Sequence, residues 1–386
     1  MNKEEKFLLS LCASYLNDSP PEAEDVDWRR FYELAKAHNL IGICHCVFSK
    51  NKELSVPKGV RQLFTDKFFD LVYIYECQSA ALRDIEHCLT TAEIGYILFK
   101  GSVLRELYPV PESRSMGDID ILIKDADRSK AKTVLENAGF ACYAPNGAVR
   151  EFKRNNIILE VHTKIISEFG NNAFCDAFEN AVFDGFKGKL NDDYHFAYLI
   201  AHIAHHFKFY GAGLKLILDL AVMLKKRSID LDNVLSILKK IRLDIFAKEI
   251  LTVCFHWFGV GVDYNNDTAK TEDYLLRCGA FGDLQENKAA IVVRKDLEEG
   301  KRYSAVKTKL RLAFPPYSRL KNIPYIRFIE GRPWLTPYAW IYRFFYNIKN
   351  KRQFLKETVE QIDENSSALA EKELKYFEEI GLIWRS

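Results

Sequence analysis

The stretch that decides the fold is residues 94–124, IGYILFKGSVLRELYPVPESRSMGDIDILIK. Its pattern predicts a strand, a tight turn at Gly101 and Ser102, a short helix, and then a second strand that carries Asp118 and Asp120. Residues two apart on a strand point to the same face. We therefore expect the two carboxylates to project together, with the intervening isoleucine buried on the opposite face.

These features predict a site for a metal-bound nucleoside triphosphate. Two carboxylates on one face of a strand can jointly hold divalent cations, as two-metal phosphoryl transfer requires. The turn opens a helix, whose free N–H groups and dipole favour an anion. An anion site beside an acid pair indicates Mg²⁺ or Mn²⁺ as the cofactor and an NTP as the substrate.

Several segments resemble a known family. KGSVL (100–104) followed by GDIDILI (117–123) is similar to the G-S … D-x-D signature of the polymerase-β-like nucleotidyltransferase fold. The run from LFKG through DIDILI to LEVHT (159–163) resembles, more narrowly, a family of uncharacterised bacterial nucleotidyltransferases, over roughly residues 25–350. This resemblance implies a two-metal transfer of a nucleoside monophosphate (NMP) from a Mg-bound NTP to an acceptor hydroxyl. It does not identify the acceptor.

The resemblance also implies a third catalytic carboxylate. Residues 149–154 and 157–162 are predicted to form a β-hairpin, and Glu160 lies on its second strand. Members of the fold place an acid on a strand next to the D-x-D pair, and Glu160 fills that position. Asp118, Asp120 and Glu160 are therefore the expected catalytic and metal-binding residues. The alternative for Glu160 is a solvated strand residue.

Further residues near the turn are candidates for nucleotide binding. Ser102 could cap the short helix, and in the family it also contacts the triphosphate, beside Gly101. Arg114 lies where the family tends to carry an arginine, and its planar fork suits phosphate. Lys100 and Arg105 flank the turn, and we expect both to be largely solvated, although Lys100 is kept as a candidate nucleotide-binding residue.

A histidine-rich helix follows the catalytic region. His195, His202 and His206 are spaced so that they share one helix face. One interpretation is a zinc site with Asp219 as a further ligand. A second interpretation, implied by the resemblance, is that His202, His206 and Asp219 border the nucleotide or the acceptor. The third is a set of hydrogen-bonded histidines inside a helix bundle.

The chain is predicted to have an α+β fold with a small mixed sheet and a larger C-terminal helical domain. We expect an N-terminal helical region over 1–92 and the nucleotidyltransferase core over 93–168. A helical domain follows over 190–300, and a basic aromatic segment with an acidic helical tail over 301–386. Residues 165–190 are expected to be a variable connection that contains the domain boundary.

Residues 301–352 have an unusual composition. Thirteen lysines and arginines stand against a single acid, Glu330, and many aromatic residues lie between them. Such a segment can pack its aromatic residues inward and leave its charges in water. It can also contact an anionic membrane surface or a lipid-linked acceptor. Nucleic acid is the least favoured of these partners.

Composition points to a cytoplasmic protein. Of the 386 residues, 48% are apolar and 28% are charged, and no uninterrupted apolar run is long enough to span a membrane. The N-terminus does not have the pattern of a signal peptide. The nine cysteines are scattered and odd in number, which is typical of reduced thiols.

Two other functional classes fit parts of the pattern. A binding or scaffold protein could retain the nucleotidyltransferase fold without catalysis. Glycosyltransferases also use a D-x-D motif to hold a metal-bound nucleotide sugar. In those enzymes, however, strands and helices alternate before the motif, whereas the residues that precede Asp118 have a mostly helical pattern.

Overall fold

A computed structural model describes most of the chain, which divides into two compact units, Met1–Gly282 and Asp283–Ser386. The described residues are 1–144, 149–165, 174–209, 211–279, 309–310, 313–321, 323–360 and 364–383.

Four helices precede the sheet, and they lie within residues 1–92, which were expected to be helical. They are α1 (Lys3–Asn17), α2 (Trp28–Ala37), α3 (Ile41–Lys50) and α4 (Lys58–Thr91). Asn2 caps α1 in a reciprocal arrangement with Glu5, which satisfies two N–H groups of the first turn. Phe31 and Phe64 are fully buried, and the centres of their rings are 6.0 Å apart. Aromatic contacts therefore join α2 to the long helix α4.

Seven strands form one mixed sheet in the order β3-β4-β5-β2-β1-β7-β6. They are β1 (Tyr96–Leu98), β2 (Asp118–Ile123), β3 (Ala141–Ala144), β4 (Val149–Arg154), β5 (Ile157–His162), β6 (Ala181–Asp184) and β7 (Lys187–Leu190). The predicted β4–β5 hairpin is confirmed, with Asn155 in the left-handed conformation at its turn. Strand β2 pairs in parallel with β5 and antiparallel with β1. The chain therefore has the expected α+β organisation.

The sheet is larger than the sequence predicts. Residues 165–190 were expected to be a variable connection, and this is wrong over β6 and β7, which form a hairpin whose second strand pairs in parallel with β1. Residues 166–173 of that connection lie outside the described residues. Both strands are only four residues long, too short for alternation to stand out, and their pairing with β1 is a long-range contact.

One face of the sheet is covered by helices. Helix α6 (Arg128–Asn137) and the second half of α4 pack on it, and Ile119 and Ile121 of β2 are fully buried there with Ile85 of α4. The alternation along β2 then directs its acidic side chains to the other face. We call that other face the front face.

The rest of the first unit is helical. It comprises the short helix α5 (Gly101–Leu104) within the motif, and α7 (Asp192–Phe209), α8 (Leu214–Lys226), α9 (Leu231–Lys239), α10 (Asp244–Phe258) and α11 (Ala269–Arg277) after the sheet. Side chains of α7 and α8 help to enclose a cavity on the front face of the sheet.

The second unit has a small core of its own. Its described helices are α12 (Tyr317–Leu320), α13 (Thr336–Glu360) and α14 (Glu364–Glu379). Leu320, Ile326, Ile329 and Ala339 are fully buried together. Parts of the basic aromatic segment, including residues 301–308, lie outside the described residues.

Two predictions about the whole chain can be compared with the structure. All nine cysteines are free thiols, as their scattered positions predict. Within the described part of the chain, no helix combines the length and apolar character needed to cross a bilayer.

Candidate active site

A cavity of about 380 Å³ lies on the front face of the sheet, within the first unit. Strands β2 and β5 contribute Asp118, Asp120 and Glu160 to its lining. The other lining residues come from the turn at Lys100 and Gly101 with its short helix, the loop that precedes β2, strands β3 and β4, and helices α7 and α8. The three predicted acids therefore line the same cavity.

The register of two parallel strands brings the acids together. Asp120 of β2 lies opposite Glu160 of β5, and Asp118 lies opposite Ile158. Asp120, Glu160 and His162 each offer a ligand atom within 4.8 Å of the others, an arrangement that could hold a metal ion. Asp118 lines the same cavity but is not part of this tightest group.

His162 was not singled out from the sequence, although the signal was present. It lies two residues after Glu160, so both side chains point to the same face of β5. Its Nε2 is 2.9 Å from Asp120 Oδ1 and 3.1 Å from Glu160 Oε2. The imidazole therefore links the two carboxylates across the strands.

Lys100 is not solvated, contrary to our expectation. Its side chain is only 17% exposed, and its Nζ donates to Asp120 Oδ1 at 2.7 Å. The backbone at Lys100 has a φ of 50° and a ψ of −129°, and its N–H donates to Nε2 of His195 at 3.2 Å. The unusual turn thus folds the lysine back over the acid pair.

Burial and charge perturb the pKa values in this cluster. Burial, with the adjacent Asp120 and Glu160 carboxylates, raises the pKa of Asp118 to about 6. Burial alone would raise the pKa of Asp120, but the Lys100 ammonium and the hydrogen bond from His162 outweigh it and lower that pKa. Burial opposes charge on His162, yet its bonds to Asp120 and Glu160 raise its pKa.

The donor set fits a divalent cation. Asp118, Asp120 and Glu160 supply the carboxylate oxygens that Mg²⁺ and Mn²⁺ prefer, and His162 adds a nitrogen that Mn²⁺ also accepts. Like charges crowded at Asp118 raise its pKa, and a bound cation would relieve that repulsion. Lys100 already neutralises part of this charge in the absence of metal.

The glycine of the motif lies in close contact with the loop before β2. A Cβ at Gly101 would lie 2.8 Å from Met116 Cγ and Sδ and 3.2 Å from Arg114 Nη1. A side chain there would force the Met116 side chain to move, so glycine lets the turn pack closely against the loop that precedes β2. Gly101 therefore keeps Lys100 and the loop 114–116 close together at the edge of the cavity.

Ser102 does not cap the short helix. The N-cap position belongs to Lys100, so the predicted capping role is wrong. Ser102 is 5% exposed, and its Oγ has no hydrogen-bond partner in the described part of the chain. It is also not among the described residues that line the cavity. Its proposed contact with a triphosphate stays a prediction.

Arg105 is buried rather than solvated. It is 2% exposed, and its guanidinium lies 4.7 Å from the centre of the Tyr75 ring. Its Nη2 donates to Ser79 Oγ at 3.2 Å, and its Nε lies 3.3 Å from Glu106 Oε1. These contacts fasten the segment after the turn onto α4, which is a structural role.

Arg114 and Asp219 form a buried ion pair. Arg114 Nε donates to Asp219 Oδ1 at 2.6 Å and Nη2 donates to Oδ2 at 2.8 Å. Tyr108 Oη also donates to Oδ1, at 2.7 Å. Both charged residues line the cavity, but the fork predicted for phosphate is occupied by Asp219. Of the three guanidinium nitrogens of Arg114, only Nη1 is buried without a hydrogen-bond partner in the described part of the chain.

His202 and His206 also line the cavity, and they contact each other. Their Nε2 atoms are 3.1 Å apart, and burial lowers both pKa values, that of His206 to about 4. The metal-binding group found among the described residues contains neither histidine, and Asp219 is bound to Arg114. The zinc interpretation is therefore not supported. The contact between the two histidines fits the third interpretation, and a role in bordering the nucleotide or the acceptor stays a prediction.

Lys215 is a cavity residue that the sequence reasoning missed. It is half-buried on α8, and the described part of the chain offers its ammonium no hydrogen bond or ion pair. Burial, reinforced by Arg114, lowers its pKa to about 8. Lys215 precedes Asp219 by four residues, so the two share a helix face. That spacing was the available signal.

One comparison with known proteins identifies a family for this chain. The model of a family described as "Uncharacterised nucleotidyltransferase" matches residues 24–259, more than half of the chain and all of the residues discussed around the cavity. No curated protein and no solved structure matches the chain significantly. On the strength of the family match, the chain belongs to the family of uncharacterised nucleotidyltransferases.

Proposed function

We propose that the protein transfers an NMP from a metal-bound NTP to an acceptor hydroxyl and releases pyrophosphate. The observation that carries the proposal is the meeting of Asp118, Asp120 and Glu160 in one cavity with Lys215, whose ammonium has no partner among the described residues. The acids suit a divalent cation, and the lysine suits a phosphate chain. Family membership supports the same type of reaction.

The acids have distinct roles in this proposal. Asp118 and Asp120 would hold Mg²⁺ or Mn²⁺, with Glu160 completing the ligand set. When bound, the cation would neutralise charge on the triphosphate and on the leaving pyrophosphate. Lys100 and His162 hold Asp120 as a carboxylate before any metal binds, because each donates to its Oδ1.

The transfer itself requires a proton acceptor. The acceptor oxygen forms a bond to the α-phosphorus while the bond from that phosphorus to the β-phosphate oxygen breaks. The hydroxyl proton passes to Glu160, whose Oε2 already lies 3.1 Å from Nε2 of His162 and is held in place by it. Pyrophosphate leaves with the electron pair of the broken bond.

The remaining cavity residues suit the triphosphate. Lys215 supplies a cation that no described residue neutralises by direct contact. Arg114 Nη1 is a buried donor without a partner in the described part of the chain. Leu199 and Leu216 add apolar surface to the same cavity, and His202 lies beside them. These groups offer one cation, one further donor and a surface for the base or the acceptor.

Isothermal titration calorimetry with each of the four NTPs, with and without Mg²⁺, tests the proposal. The full chain is expected to bind at least one NTP more tightly with Mg²⁺, and Asp118→Asn with Asp120→Asn is expected to abolish that gain. Asp125→Asn, in the turn after β2, is the matched control, because its side chain is 76% exposed. Equal Mg·NTP affinity in wild type and the double variant would refute the assignment.

A catalytically inactive nucleotide-binding protein is the second candidate. It is favoured by the contact between Lys100 and Asp120, which gives the acid cluster an internal cation without metal. In that case NTP binding would not depend on Mg²⁺, and no pyrophosphate would form with any acceptor in a broad panel. The family match gives no support to the D-x-D glycosyltransferase alternative.

A further inference from the structure

Helix α13 in the second unit carries an exposed apolar stripe. Tyr338, Ile341, Phe345 and Ile348 recur every three or four residues, and each is at least 42% exposed. This spacing places them on one side of the helix. Trp334, in the turn just before the helix, is 70% exposed. We call these five residues the outer stripe.

The inner side of the same helix is already used for folding. Ala339 is fully buried with Ile326 and Ile329, and Asn347 is 6% exposed. The first part of α13 is therefore apolar on two sides. A helix that faces water on one side normally carries polar residues there, and a contiguous exposed apolar patch marks a binding surface.

The segment that carries the outer stripe is strongly basic, which favours an anionic partner. Residues 301–352 contain thirteen lysines and arginines and one acid. Among the described residues of this segment, Arg319, Lys321, Arg332 and Lys349 are exposed, as is the single acid, Glu330. Two copies of so basic a surface would repel each other, which disfavours self-association through the stripe. The excess of positive charge instead favours a surface of opposite sign.

The apolar residues distinguish a membrane from a nucleic acid. Ile341 and Ile348 are aliphatic and cannot stack on bases, whereas they can enter the boundary between lipid headgroups and acyl chains. Trp334 and Tyr338, which precede them, are the residue types enriched at the membrane–water interface. We propose that the outer stripe of α13 lies on the surface of an anionic bilayer, with exposed cations of the same segment against the headgroups.

This inference does not depend on the reaction proposed for the first unit. The helix would lie in the plane of the interface rather than cross it, which agrees with the absence of a bilayer-spanning helix among the described residues. The electrostatic and the apolar contributions to membrane binding should both be measurable. The charges make binding sensitive to salt, and the outer stripe makes binding sensitive to the loss of apolar side chains.

Vesicle flotation of the full chain tests the proposal. The protein is expected to float with vesicles of phosphatidylcholine mixed with phosphatidylglycerol, weakly with phosphatidylcholine alone, and less at high salt. Ile341→Ser with Phe345→Ser should weaken binding about tenfold or more. The matched control is Phe69→Ser with Tyr73→Ser on α4, which removes side chains that are 65% and 71% exposed and should leave flotation unchanged.

Three outcomes would overturn the membrane proposal. They are failure to float with anionic vesicles, equal flotation with both lipid mixtures, and a loss of vesicle binding in the α4 control variant as large as that in the α13 variant. Self-association would be indicated instead if the wild type were a dimer in light scattering and did not bind vesicles, and if the α13 variant were a monomer. That result would also overturn the proposal. Binding of a single-stranded oligonucleotide in place of vesicles would point to nucleic acid instead. Circular dichroism checks that each variant is folded. The Mg·NTP affinity of each variant should also match that of the wild type.

Discussion

Asp120 and Glu160 occupy the same rung of the parallel β2–β5 pair, although forty residues separate them in the chain. His162 Nε2 lies 2.9 Å from the first carboxylate and 3.1 Å from the second. In a parallel pair, side chains on one rung point to the same face. The acid cluster therefore depends on strand register, and a slip of one residue would turn Glu160 away from the cavity.

Loss of Glu160 should weaken metal binding without unfolding the protein. Removing an outer-shell partner of a metal ligand costs about 10- to 100-fold in affinity, and removing a direct ligand should cost at least as much. We expect Glu160→Gln to bind Mn²⁺ at least about tenfold more weakly, as measured by electron paramagnetic resonance. Glu151→Gln is the control, because Glu151 pairs with Glu160 across β4 and β5 and lines the cavity without joining the metal-binding group. Equal losses in both variants would contradict a direct role for Glu160.

Loss of the Lys215 charge should weaken binding of a phosphate chain. A hydrogen bond to a charged group contributes about 1.5–3 kcal/mol, or roughly 10- to 100-fold in affinity. Lys215→Met is expected to reduce the affinity for inorganic tripolyphosphate by about that factor, whereas Lys215→Arg should retain most of it. Calorimetry without metal isolates this contact from the acid cluster. Unchanged affinity in Lys215→Met would exclude Lys215 from the phosphate site.

The same contact should depend on pH. Burial and Arg114 lower the pKa of Lys215 to about 8, so the ammonium form decreases as the pH rises through that value. Only the protonated form attracts the anion, and affinity for tripolyphosphate should therefore fall above about pH 8. Lys215→Arg stays charged and should show no such fall. A wild-type affinity that stays flat over this range would contradict the prediction.

The buried pair of Arg114 and Asp219 should stabilise the fold only as a pair. Their side chains are 5% and 3% exposed, so removing one partner leaves a buried charge uncompensated. Arg114→Met is expected to lower the free energy of unfolding by about 3–5 kcal/mol in denaturant titration. The double variant Arg114→Met with Asp219→Asn should lose less unfolding free energy than Arg114→Met alone. It leaves no buried charge unpaired, and the asparagine can still accept a hydrogen bond from Tyr108. If the loss of unfolding free energy in the double variant equalled the sum of the losses in Arg114→Met and Asp219→Asn, the two residues would not be coupled.

Protonation of His195 should contribute to acid unfolding. Burial lowers its pKa from 6.5 to about 4, so between these values the unfolded chain binds a proton that the folded chain does not. Stability from this residue is present above about pH 6.5 and is lost as the pH falls through about 4. We expect His195→Gln, which can still accept from the Lys100 N–H, to lose stability less steeply than the wild type over this range. Chemical denaturation at several pH values measures both slopes, and identical slopes would contradict the prediction.

Much of the fold could be predicted because its patterns are local. The long helix α4 and the β4–β5 hairpin follow from apolar spacing and from Asn155 at the turn. The D-x-D alternation on β2 likewise predicted which face of the strand carries Asp118 and Asp120. The hairpin of β6 and β7 was missed because its strands are short and pair with β1, far away in the sequence.

The environment of each charged residue was harder to predict. Lys100 and Arg105 were both expected in water, and both are largely buried, because one folds back onto Asp120 and the other packs on Tyr75. Arg114 was assigned to phosphate on residue type, but its fork binds Asp219 from a helix more than a hundred residues later. Residue type states what a side chain can bind, and packing decides which partner is within reach.

The sequence by itself determined the D-x-D strand, the glycine turn before it, most of the helices and the family of the protein. Alternation and helical periodicity are properties of short segments, so they can be read without knowing the fold. The tertiary structure alone decided that His162 joins Asp120 and Glu160, and that Lys215 faces the cavity without a described partner. These contacts depend on strand register and on how α8 packs over the sheet. Both are set by the free energy of burying the whole core, which no single segment contains.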